Sequence, residues 1–173
     1  MALELVAAIV AAIAFAGIAL IARKISGGRL PKWAVTVAAA VGLIGTTIWL
    51  EYDWFNRVTA ALPASFEVVD VQEEAMPLRP WTYLKPIRMR FLALDHAKTA
   101  THPQVPGLRM VTLYSFARWK APQAALMAVD CAANRRVLVS DGVEITPDGT
   151  LKGAEWQVAG DGDKLQEAAC REG

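Results

Sequence analysis

Three segments open the chain and decide its architecture: LELVAAIVAAIAFAGIALIA (residues 3–22), RKISGGRLPK (23–32) and WAVTVAAAVGLIGTTIWL (33–50). The first has a single charge, Glu4, at its outer edge, and the third has none. A helix rises 1.5 Å per residue, so about 20 apolar residues cross the roughly 30 Å hydrocarbon core of a bilayer. The segment between them holds Arg23, Lys24, Arg29 and Lys32 and no acid. Together they predict a two-helix transmembrane hairpin over residues 1–62, with helices over about 3–22 and 33–61 and a basic loop over 23–32. Pro63 is a natural stop for the second helix, because the residue before a proline is pushed out of helical geometry.

Basic residues close to membrane segments stay in the cytoplasm. Arg23, Lys24, Arg29 and Lys32 therefore place the loop inside. Glu4, Glu51 and Asp53, with only Arg57 as a nearby cation, mark the outer ends. The N-terminus and everything after Leu50 are expected outside, which in a bacterium is the periplasm. A cleaved signal peptide would carry its positive charge before the apolar stretch, not after it. Trp33 at the inner mouth, and Trp49, Tyr52 and Trp54 at the outer end, fit the aromatic belt of a bilayer interface.

Small residues recur at helical spacing: Ala8, Ala12 and Ala16 in the first run, Ala38, Gly42 and Thr46 in the second. Such stripes let helix backbones approach closely. They suit either packing of the two helices on each other or docking on another protein's helices. No ionisable residue lies deep in either run. That pattern argues against a transporter, channel or pump, and it leaves no histidine to ligate haem or chlorophyll in the bilayer. No cofactor is expected.

Residues 63–173 have the size of one domain. From Val58 onward 13 Lys or Arg face 14 Asp or Glu, a balance that gives no long-range reason to bind nucleic acid. Alternating or β-branched runs predict strands over 66–71, 87–94, 109–119, 125–131, 136–139 and 155–158. Pro147-Asp148-Gly149 predicts a turn. A terminal helix is expected from Asp163 to about Arg171, capped by Asp161 or Asp163. Residues 76–86 and 96–108, rich in proline, are expected as irregular surface loops. The predicted class is thus a transmembrane hairpin followed by a periplasmic α+β domain, a small antiparallel sheet with a C-terminal helix.

Cys131 and Cys170 are the only cysteines, and both fall in the part expected in the oxidising periplasm. A disulfide between them is expected. The stretch Val129-Asp130-Cys131-Ala132-Ala133-Asn134-Arg135-Arg136-Val137 resembles the D-C-x-x-[RK]-x-[YR] strand of surface-adhesin protein E-like domains. The Asp148-Gly149 turn, Glu155-Trp156-Gln157-Val158 and a terminal helix ending at Cys170 follow in the same order. The resemblance covers about residues 109–171. It implies a small antiparallel sheet with a helix and two paired cysteines. Those adhesins are secreted lipoproteins, whereas this chain starts with a membrane hairpin and has no cysteine near its start, so adhesion does not carry over.

Catalytic constellations are sparse. Asp95-His96 is the only adjacent acid–imidazole pair, and strand neighbours point to opposite faces. Ser65, Ser115 and Ser140 lack a nucleophile-elbow context. Asp161-Gly162-Asp163 lacks the twelve-residue calcium loop and reads as a helix cap. Two cysteines and the distant His96 and His102 lack metal-ligand spacing. The expectation is a non-catalytic accessory subunit of a larger inner-membrane complex, its partners being membrane lipid and other integral membrane subunits. An energy-converting assembly, such as a photosynthetic reaction-centre and antenna complex or a respiratory oxidase, is the type expected. The alternative is a free-standing envelope protein whose outer domain binds a ligand or another envelope protein.

Overall fold

A computed structural model describes residues 2–105, 107–140, 143–146, 151–160 and 162–171. The chain divides into two compact units, residues 1–57 and 58–173.

In the first unit the apolar runs form helix α1 (Ala2–Ile25) and helix α2 (Trp33–Ala60). Both are long and apolar enough to cross a membrane. Helix α1 runs on to Ile25, past the expected end at Ala22, and takes Arg23 and Lys24 into its last turn. Two effects favour this. Cations are stabilised at a helix C-terminus, and Gly27 and Gly28 supply the positive φ (63° and 81°) that closes the helix. Gly28 N–H donates to the Arg23 carbonyl at 3.0 Å and Gly27 N–H to that of Lys24 at 3.3 Å, a Schellman closure. At the other end of the helices Arg57 pairs with Glu4 (2.9 Å) and with Asp53 (3.0 Å).

The second unit is a curled antiparallel sheet with a helix on one face. Its strands are β1 (Phe66–Glu74), β2 (Ile87–Thr101), β3 (Leu108–Ala117), β4 (Gln123–Asp130), β5 (Arg135–Val139), β6 (Glu144–Ile145), β7 (Leu151–Lys152) and β8 (Gln157–Val158). Six of them run in the order β1-β2-β3-β4-β5-β8, and β6 pairs with β7 apart from that sheet. Helix α3 (Lys164–Cys170) closes the chain, and a 3-10 turn spans Pro80–Tyr83. Side chains alternate across the sheet. Val69, Leu94, Val111, Leu113, Met127 and Val129 face α3 and form the core with Leu165, Ala168 and Ala169. The other face carries Phe91 stacked on Phe116 (4.8 Å) and Phe66 against Tyr114 (5.1 Å).

Several boundaries differ from the sequence reading. Strand β2 runs to Thr101, so residues 96–101 are strand, not loop. Ala100 and Thr101 pair with Met110 and Arg109 beyond an irregularity that follows Asp95. Trp119 lies outside β3 with φ of 72°, a left-handed turn conformation. The last strand is confined to Gln157–Val158, and β6 and β7 were not anticipated. The Pro147-Asp148-Gly149 turn and Asp161 lie outside the described residues.

Candidate functional site

Charged side chains fix α3 over the sheet. Asp163 caps it: one carboxylate oxygen accepts Leu165 N–H (3.0 Å), Gln166 N–H (3.2 Å) and the Arg136 guanidinium (2.7 Å). Arg136 projects from β5, because its pairing opposite Val129 sets it on the helix face. At the other end of α3, Arg109 of β3 donates to the carbonyls of Ala169 (3.3 Å) and Arg171 (3.0 Å), a cation at the negative end of the helix. Glu67 of β1 binds His96 (2.9 Å) through one oxygen and Arg171 (3.0 Å) through the other. Asp130 ends β4 and shapes the next turn, accepting Ala132 and Ala133 N–H at 3.1 and 3.0 Å and pairing with Arg135 at 2.9 Å. Asn134 closes that turn with φ of 48°, a conformation asparagine tolerates.

These contacts set acid–base behaviour. The Arg136 hydrogen bond, with help from the Gln166 and Leu165 amides, holds the Asp163 carboxyl below the usual range. The His96 hydrogen bond and Arg171 lower Glu67 against a smaller effect of burial. Burial acts to raise Asp130, but the Ala133 amide, Arg135 and the Ala132 amide together bring it below its ordinary value.

Beside the capped end of α3 opens a cleft of about 470 Å³. Its apolar wall is Val69, Val71, Leu92 and Leu165, and Asp70, Arg136, Asp163 and Lys164 supply charge. Pockets for small organic ligands fall in this size range and combine an apolar lining with a few convergent polar groups. The cleft exists because β1 bends: bulges between Val68 and Asp70 and between Gln72 and Glu73 break its register with β2.

The other residues singled out from sequence fall as follows. Cys131 and Cys170 are bridged, with Cα atoms 5.6 Å apart, joining the end of β4 to the end of α3. Ala8 and Gly42 are buried, and Ala12, Ala16, Ala38 and Thr46 are half-buried. A side chain added at Gly42 would meet the Phe15 ring at 2.9 Å and the Ala11 carbonyl at 3.0 Å, so the two helices touch there. Trp33 and Trp49 are exposed, and Tyr52 and Trp54 are half-buried. Arg23 is half-buried, and Lys24, Arg29 and Lys32 are exposed. Asp95 and His96 separate: Asp95 is buried and accepts Ala97 N–H, whereas His96 bonds Glu67. His102 accepts Gln104 N–H in the β2–β3 connection. Among the described residues, no group of three or more His, Cys, Asp and Glu is arranged to hold a metal ion.

Sequence reasoning missed Glu67, Arg109 and the Arg136–Asp163 pair. Strand alternation put Arg136 on one side of β5, but only the pairing register reveals that this side faces α3. Comparisons with protein families, with curated proteins and with solved structures find no match to this chain.

Proposed function

We propose that this protein is a non-catalytic accessory subunit of a larger bacterial inner-membrane complex, docked by its helices and bracing the periplasmic face of that complex. One observation carries the reading: in the most apolar windows of α1 and α2 only 6% and 11% of the residues are buried within the protein. A core helix of a water-soluble domain would be covered by its own chain. Here Ile9, Ile13, Ile18, Ile21, Val37, Val41 and Ile44 all face outward. Lipid and neighbouring helices are the covers such surfaces accept. The basic loop supports an orientation with both termini in the periplasm, and the Cys131–Cys170 bridge suits that compartment. The sheet followed by a bridged terminal helix is the arrangement that the resemblance to protein E-like domains implies. The energy-converting type of host complex is favoured on architecture: ordinary apolar helices without cofactor ligands, followed by a compact domain.

The test is purification in mild detergent through a tag after Gly173. Stoichiometric recovery with integral membrane subunits, pigmented or haem-bearing ones above all, is the expected result. Recovery as a lone, folded chain would overturn the subunit reading. The cleft beside α3 favours the alternative, a free-standing envelope protein that binds a ligand. In that case native mass spectrometry of the lone chain should show a retained small molecule that Arg136→Ala releases.

A further inference from the structure

Two acids and two cations line the cleft beside α3, and all four keep bonding capacity that the protein leaves unused. The bulge between Val68 and Asp70 brings the first of them there. A bulge sets two successive residues against one on the neighbouring strand. Val69 belongs to the core under α3, and Asp70 pairs opposite Leu92, which packs against that same core. Cross-strand partners share a face, so an acid is carried to the helix side of the sheet. Arg136 enters the lining from β5, Asp163 from the cap of α3 and Lys164 from its first turn. Arg136 reaches Asp163 through Nη1 alone, and Asp163 spends only Oδ1 on Arg136 and the two amides. The other guanidinium N–H groups and Oδ2 meet no partner among the described residues, and the two side chains remain 24% and 21% exposed. Asp70 and Lys164 are exposed, and neither has an ion-pair or hydrogen-bond partner among the described residues. Further charges on this face lie elsewhere: Glu67 is taken by His96 and Arg171, and Arg90 is not part of the lining.

The charge of the lining is therefore balanced. A simple carboxylate would meet Arg136 and Lys164 but stand against Asp70 and Asp163, and a simple amine would meet the reverse. A ligand bearing both charges answers both sets, and Val69, Leu92 and Leu165 call for an apolar body. Asp70 comes from β1 whereas the cations come from β5 and α3, so the ligand's charges are better carried apart than on one carbon atom. The two ends of a short peptide meet that requirement. We propose that the cleft binds short apolar peptides as zwitterions. The free carboxylate meets Arg136 and Lys164, the free ammonium meets Asp70, and the side chains cover Val69, Leu92 and Leu165. The proposal deepens the ligand-binding reading and rests on it. The subunit reading has its own test in co-purification.

The test titrates the full chain in detergent micelles with leucyl-leucine, followed by calorimetry against a blank of micelles alone. Leucyl-leucine should bind. N-acetyl-leucyl-leucine and leucyl-leucinamide should each bind about tenfold more weakly, because each loses one hydrogen bond between charged groups. Equal binding of all three would overturn the zwitterionic class. Asp70→Asn should weaken leucyl-leucine and leave the acetylated form unchanged, and Lys164→Gln should weaken leucyl-leucine and leave the amide unchanged. Both residues are exposed and unpartnered, so the fold does not depend on them. A loss at Asp70→Asn shared equally by the acetylated form would overturn the placing of the ammonium. Failure of leucyl-leucine to bind would overturn the proposal. If the purified chain still retains another small molecule that Arg136→Ala releases, the ligand-binding reading stands without it.

Discussion

A single carboxylate oxygen of Asp163 accepts two backbone N–H groups and a guanidinium, so its removal takes away a helix cap and an ion-pair partner together. Asp163→Ala should lower stability by about 1–2 kcal/mol, read from urea unfolding, because cap loss alone lies in that range. Asp163→Asn keeps the cap acceptor and should lose less. Asp163, Glu67 and Asp130 all have folded pKa values below their ordinary ones. The unfolded chain therefore binds more protons than the folded one in the acid range. The stabilisation is complete above the unfolded pKa of about 4 and is lost as pH falls through the folded values. The melting temperature should thus drop between about pH 5 and pH 3, less steeply in Asp163→Asn. Asp163 was legible as a cap because an acid precedes the helical run. Its bond to Arg136 was not, since the two are 27 residues apart and meet only through the sheet. Likewise His96 reads as a neighbour of Asp95, but strand pleating hands it to Glu67.

Gly42 and Gly45 look alike in sequence and sit in different surroundings. A side chain at Gly42 strikes Phe15 and the Ala11 backbone, whereas nothing lies within 4 Å of the corresponding position at Gly45. Gly42→Leu should destabilise the hairpin by about 1–3 kcal/mol through overpacking, measured by thermal unfolding of the full chain in detergent. Gly45→Leu should leave that melting point in place and, under the subunit reading, reduce co-purification with the host complex. The small-residue stripes alone left open whether the helices close on each other. The cost of a side chain at Gly42 separates the closed side from the open one. In the C-terminal domain, Cys131→Ser with Cys170→Ser should cost about 3–4 kcal/mol in the chain-entropy treatment, visible as a lower urea midpoint. Alternation revealed β1, β3, β4 and β5 because each carries a run of β-branched or other apolar residues at every second position, even where bulges interrupt the register of β1. It failed for the end of β2, where Lys98, Thr99 and Thr101 give no apolar period and only pairing with β3 keeps the chain extended.

For the molecule as a whole, orientation is the quantity to measure. Alkaline phosphatase fused after Gly173 should be active, and replacing Arg23, Lys24, Arg29 and Lys32 with neutral residues should lower that activity by releasing the topological constraint. The division into an apolar helical unit and a mixed domain was legible from composition, because eighteen uncharged residues in a row contrast with the charged and polar sequence that follows. The cleft of the C-terminal domain was not legible, since it arises from strand register and from bends in β1. The disulfide adds a temporal consequence. Helix α3 has only seven residues, too few to persist alone in water, and its last residue is the bridged Cys170. Before the bridge closes, the packing of Leu165, Ala168 and Ala169 and the bonds of Asp163 and Arg109 hold this helix to the sheet, so the order of oxidation and docking decides how soon it stops fraying.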